Sequence, residues 1–181
     1  MNPTRTSRLA AAGVLLATLG LPAAAQAQYR LPTLVSSVKA DSLHSAAVEL
    51  AMTTKRWGDA ARLHRRAAEL RAADDVNGFR CLSYAGALAY ASGDRSRARN
   101  DMAAAARHAL ARGDLRAAAL AYLDAAWIAQ EQKNPRQVWE WGHRAELLAD
   151  SPFLGSADRA VILRRIRRAP EGTQLAILPG P

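Results

Sequence analysis

Four histidines, His44, His64, His108 and His143, and one cysteine, Cys81, are the side chains of this sequence best equipped to hold a metal or act as a nucleophile. A metal site legible in sequence sets its ligands one helical turn apart, as in an HExxH motif, so that they share one face of a helix. None of the four histidines stands in such an arrangement with another histidine or a carboxylate, so no metal and no cofactor is expected. No glycine-rich phosphate loop, GxSxG elbow or interpretable Cys/His pair accompanies them. Asp74 and Asp75 are adjacent carboxylates, but they lie in the turn-forming run Asp74-Asp75-Val76-Asn77-Gly78, where loop solvation explains them better than acid–base work. These residues point away from an enzyme. His44 and His64 are expected as interior packing residues, and Cys81 as a small, half-buried apolar one. A lone cysteine also rules out an internal disulfide, so stability has to come from packing.

The elements that position these residues are helices. Ala, Leu, Arg and Glu dominate, and no run of alternating β-branched residues predicts a strand. Gly93-Asp94 and Gly113-Asp114 repeat one instruction: the glycine takes the left-handed conformation that ends a helix, and the aspartate accepts from the free N–H groups of the next. Asn134-Pro135 works similarly, and Asn77 is expected as the cap of the helix it begins. This punctuation predicts helices over 41–53, 56–72, 77–91, 94–111, 114–130, 135–149 and 156–168. Superimposing the second helix of each pair aligns Ala60 and Ala67 with Ala98 and Ala105 and then with Val138 and Ala145, a period of 38 and then 40 residues. Small residues there let paired helices approach closely, and stacked pairs bury faces that no single pair covers alone. The alternative is a non-repetitive helical bundle.

The segment from Leu82 to Ala105, with Gly86 in one helix facing Ala98 and Ala105 in the next, resembles a tetratricopeptide repeat. Arg56 to Leu70 resembles the second helix of another. The likeness covers 41–149; the family's tyrosine is displaced to Tyr90, its closing proline is missing, and the period exceeds its ~34 residues. The resemblance implies an all-α fold, a short right-handed α-solenoid of about three helix pairs spanning 41–169 with a C-terminal capping helix. It also implies a non-catalytic scaffold that holds a peptide or partner helix on the concave face lined by the first helix of each pair. The family's recognition of acidic tails through Lys and Asn side chains is not carried over, because Arg80 alone is a poor substitute.

Register then places the groove. With Leu82, Ala85, Gly86 and Ala89 inward, Arg80, Ser83, Tyr84, Ala87 and Tyr90 turn to the concave side. The next repeat adds Leu120, Leu123, Asp124, Trp127, Gln130 and Glu131, and the preceding one adds Ser42, Ser45, Glu49 and Met52. Glu49, Arg80, Ser83, Tyr84, Tyr90, Asp124, Trp127, Gln130 and Glu131 are therefore the expected partner-binding residues, with Tyr84, Tyr90 and Trp127 as an aromatic floor. The competing reading makes these aromatics filler between adjacent first helices. Trp139 and Trp141 stand ~200° apart on one helix, so only one can pack on a given neighbour.

The first residues carry Arg5 and Arg8, an apolar run from Leu9 to Leu21 and Ala25-Gln26-Ala27, which reads as an export signal cleaved after Ala27. The run is shorter than the ~20 residues of a membrane span. Periplasmic or secreted location is expected, with an extended lead-in over 28–40. Net charge is +9, or +7 once Arg5 and Arg8 are removed. A basic surface attracts anions, but nucleic acid is not an expected partner outside the cytoplasm. Arg164, Arg165, Arg167 and Arg168 crowd the end of the last helix, where they suit its negative pole. They cap a solenoid or, alternatively, rest on an anionic membrane or polymer. Residues 170–181 are expected to be disordered.

Overall fold

The computed structural model of the protein describes residues 23–167. Among them are seven helices and no strand: α1 (Ala23–Thr53), α2 (Trp57–Glu69), α3 (Val76–Ala91), α4 (Arg95–Ala111), α5 (Leu115–Glu131), α6 (Pro135–Ala149) and α7 (Ser156–Arg167). The chain divides into two compact units, Met1–Val38 and Lys39–Pro181. The described part of the first is the leading half of α1, and the packed helices belong to the second. Residues 28–40, expected to be extended, are helical. Pro32 forfeits one ladder hydrogen bond, and the helix-forming Ala, Gln and Leu around it carry the helix through. Residues 1–22, which hold most of the expected export signal, Arg168 and the tail 170–181 lie outside the described residues. No described helix is long and apolar enough to cross a membrane.

The breaks between helices follow the chemistry of their residues. Gly93 and Gly113 adopt φ of +89° and +77°. In each case the following aspartate closes the helix behind it, the Asp94 N–H donating to the Ala89 carbonyl at 2.9 Å and Asp114 doing likewise to Ala109. Each carboxylate then caps the helix ahead, accepting from the Arg97 N–H at 3.1 Å and the Ala117 N–H at 2.9 Å. Asn134 repeats this with Gln137 at 3.2 Å, but the residue before it is Lys133, held at φ +54° without glycine's freedom. The cap of α3 is Asp75 rather than Asn77: its carboxylate accepts from the Asn77 N–H at 2.7 Å. The carboxylate stands two residues earlier than expected because α3 begins at Val76.

Consecutive helices from α2 to α6 pack against each other, and α7 lies against both α5 and α6. The interfaces are built from alanine. Ala60, Ala67, Ala98, Ala105 and Ala145 are fully buried, and Val138 nearly so. At the α3–α4 contact, a Cβ added to Gly86 would lie 3.2 Å from the Ala98 carbonyl oxygen and 3.0 Å from Met102. A side chain there would force Met102 or the Ala98 carbonyl to give by a few tenths of an ångström, so glycine suits that close approach. Leu123, Ile128 and Ile162 are the largest fully buried apolar side chains, each contributing about 1.5–3 kcal/mol where alanine contributes far less. Polar ties join alternate helices. Arg65 on α2 bonds Asp101 on α4 at 3.0 Å, the Tyr90 hydroxyl on α3 donates to Glu131 on α5 at 2.8 Å, and Arg165 on α7 pairs with Asp124 on α5. The sequence separations are 36, 41 and 41 residues.

Candidate functional site

Two depressions open between successive odd-numbered helices. The first, between α1 and α3 and about 320 Å³ in volume, is lined by Val48, Ala51, Met52, Tyr84, Ala87 and Leu88, with His64 at its base. Its rim is apolar and open, Met52 being 77% and Tyr84 51% exposed. The second, about 300 Å³, lies between α3 and α5, where Phe79 and Ser83 face Arg116, Leu120 and Asp124.

The residues singled out by register distribute over this face unevenly. Leu82, Ala85, Gly86 and Ala89 point inward as expected, and all four are buried. Tyr84, Ala87 and Met52 line the first depression, and Ser83, Leu120 and Asp124 the second. The three aromatics do not form one floor. Tyr90 and Trp127 pack at a tilt with centroids 5.0 Å apart, while Tyr84 sits 5.4 Å from His64 and 6.0 Å from His44. Six residues separate Tyr84 from Tyr90, which turns them ~120° apart on α3. Arg95 lies 3.6 Å over the Tyr90 ring and 3.0 Å from Glu131, so Tyr90 and Glu131 are already engaged. Burial and the Glu131 carboxylate both push the Tyr90 hydroxyl up from its ordinary range. Trp127 is half-buried between Tyr90 and the Ala126–Ala129–Val138 cluster.

Gln130 keeps a buried amide oxygen with no hydrogen bond. Leu123 is a core residue and does not line the face. Glu49 is exposed on α1, and Arg80 is exposed at the mouth of a third, polar depression. Burial raises the Asp124 carboxyl, and Arg165 works against that shift. The pairing occupies Arg165, whereas Arg164 and Arg167 are exposed. Of the two neighbouring tryptophans, Trp141 stacks on Tyr122 at 5.7 Å, and Trp139 is exposed.

Sequence spacing placed none of the histidines together, yet His44 on α1 and His64 on α2 meet with their Nδ1 atoms 3.3 Å apart. Cys81 on α3 completes the cluster, its Sγ 3.6 Å from the His44 Nδ1. The expectation of no Cys/His pairing is thereby corrected: the partners come from three helices, and a within-helix motif cannot register them. His64 is an interior residue as expected, 2% exposed, while His44 is only half-buried. Cys81 is fully rather than half buried. Burial, with the His44 ring beside it, lowers the His64 pKa to about 4. Burial pushes the Cys81 thiol up, and the Arg71 guanidinium next to it pulls the other way. Arg71 is itself buried and paired with Asp41 and with Asp75 at 3.1 Å. A polar depression of about 200 Å³, bounded by Asp41, His44, Arg71, Arg80, Cys81 and Tyr84, reaches the cluster from outside.

No protein-family model matches this chain, and no curated protein or solved structure proved similar to it.

Proposed function

We propose that this chain is an exported, non-catalytic interaction scaffold, a divergent tetratricopeptide-like right-handed α-solenoid that holds a peptide or partner helix on the face of α1, α3 and α5. One observation carries the reading: the α1–α3 and α3–α5 depressions lie between successive first helices, and residues chosen by repeat register, Met52, Tyr84, Ala87, Ser83, Leu120 and Asp124, are among those lining them. Polar ties between helices about one period apart add support. The occupant of the α1–α3 depression is an apolar side chain of the partner, because Val48, Met52, Tyr84 and Leu88 offer it contact area and little hydrogen bonding. The export-signal pattern of the first 27 residues supports an encounter in the periplasm or outside the cell. Charge-driven attachment through α7 is the weaker reading, because among its described arginines Arg165 is tied to Asp124 and only Arg164 and Arg167 are exposed.

The test is site-specific photocrosslinking in the native cell envelope. A photoreactive residue at Met52 or Ala87 is expected to capture one protein species, and the same group at Arg107, exposed on α4, is expected not to. Tyr84→Ala should then weaken binding of the captured partner at least ~10-fold with the fold retained. Equal capture from Arg107, or unchanged affinity in Tyr84→Ala, would remove the groove.

A further inference from the structure

The geometry points to a second property, independent of the scaffold reading: His44, His64 and Cys81 form a binding site for one thiophilic transition-metal ion, zinc(II) or copper(I). Each ligand comes from a different helix, α1, α2 and α3, so the site exists only in the folded chain. Zinc–imidazole bonds of about 2.0–2.1 Å and a zinc–thiolate bond of about 2.3 Å give tetrahedral edges of about 3.3 Å between nitrogens and about 3.6 Å from nitrogen to sulfur. The two separations observed, 3.3 Å for His44 Nδ1 to His64 Nδ1 and 3.6 Å for His44 Nδ1 to Cys81 Sγ, match those edges. The three donor atoms all lie within 4.8 Å of one another, so the remaining edge, His64 to Cys81, has to shorten by at most roughly 1 Å when an ion binds.

Hydrogen bonding accounts for this convergence poorly. Two Nδ1 atoms facing each other can share one proton, and Cys81 Sγ approaches the same His44 nitrogen. His64 Nδ1 and Cys81 Sγ thus compete for the one His44 nitrogen, whereas a cation accepts a lone pair from each of the three. The donor set of one sulfur and two imidazoles disfavours calcium and magnesium, which take oxygen ligands, and suits zinc or copper. A metal ion would displace the Cys81 thiol proton on binding, and Arg71 beside it is itself paired with Asp41 and Asp75. The polar depression bounded by His44, Cys81 and Tyr84 supplies an entry path and room for a fourth ligand, which three protein donors leave open.

The experiment uses tag-free protein, stripped with a chelator and kept reduced, so that no affinity-tag histidine competes. Zinc(II) is titrated against a chromophoric chelator, copper(I) against a copper(I)-selective one, and cobalt(II) serves as the spectroscopic probe. One equivalent of zinc or copper(I) should bind with Kd below roughly 10 µM and raise the melting temperature. Cobalt should give a thiolate-to-metal charge-transfer band. Cys81→Ala, a small apolar replacement at a buried position, should leave the metal-free melt close to that of the unaltered protein, abolish the band and weaken binding at least ~10-fold. His44→Gln, at the half-exposed ligand, should weaken binding similarly, and these two variants decide the matter even if His64→Gln does not fold. Copper(I) binding without zinc binding supports the site and identifies its ion. Absence of stoichiometric binding of either ion, or binding unchanged in both Cys81→Ala and His44→Gln, overturns it.

Discussion

Ala98→Leu tests the repeat packing directly. Ala98 is fully exposed to no solvent, and its cluster joins Ala61 from α2, Ala89 from α3 and Ile128 from α5, with Met102 and Trp127 alongside. Its carbonyl oxygen would already lie 3.2 Å from a Cβ on Gly86, so α3 has no slack to withdraw without losing the Gly86 contact. Three added carbons must force rotamers or separate the helices, at a cost of about 1–3 kcal/mol. In a unit of this size that lowers the melting temperature by roughly 3–12 °C. Ala87→Leu, on the exposed face of α3, is the control and should stay within about 0.5 kcal/mol of the unaltered protein. The assay is thermal melting followed by far-UV circular dichroism, with urea unfolding to confirm that the m-value is unchanged. Melting of Ala98→Leu within one degree of the parent would mean that Ala98 does not hold the α3–α4 approach, and the reasoning from small-residue spacing would fail.

At the helix stops, Gly113→Ala forces a Cβ onto a residue with φ of +77° and should cost about 1–2 kcal/mol, while Lys133→Gly, relieving φ of +54°, should gain up to about 1 kcal/mol in urea unfolding. Effects of the same sign at both positions would refute the backbone argument. Arg65→Met strands the buried Asp101 carboxylate and should cost about 3 kcal/mol, most of it regained in Arg65→Met/Asp101→Leu; no recovery in the double variant would count against a paired-charge origin. His64 in chelator-treated protein has a folded pKa of about 4, below the ordinary value of about 6.5, so the native state binds fewer protons than the unfolded. Its contribution, on the order of 3 kcal/mol, is fully present above pH ~6.5 and is lost as pH falls toward and through 4. Urea unfolding across that window should show the slope shrinking in His64→Gln, and an unchanged slope would locate the acid sensitivity elsewhere.

The helices and most of their ends were legible in sequence because their causes are local. Gly93-Asp94 and Gly113-Asp114 carry both the left-handed stop and the carboxylate cap within two residues, and the inward stripe of Leu82, Ala85, Gly86 and Ala89 follows from 3.6 residues per turn. Local rules failed where a residue acted against its own preference. Lys133 holds a positive φ because Asn134 and Pro135 fix the next helix start, and α1 continues through Pro32. The contacts that could bear chemistry belong to another level, since His44 meets His64 across 20 residues and Cys81 across 37, and Asp124 meets Arg165 across 41. Whether two such side chains touch depends on how each helix is rotated about its axis and how closely alanine interfaces let neighbours approach. Sequence alone determined which residues share a face of one helix; only the packing of three helices decided that two imidazoles and a thiol would share one point in space.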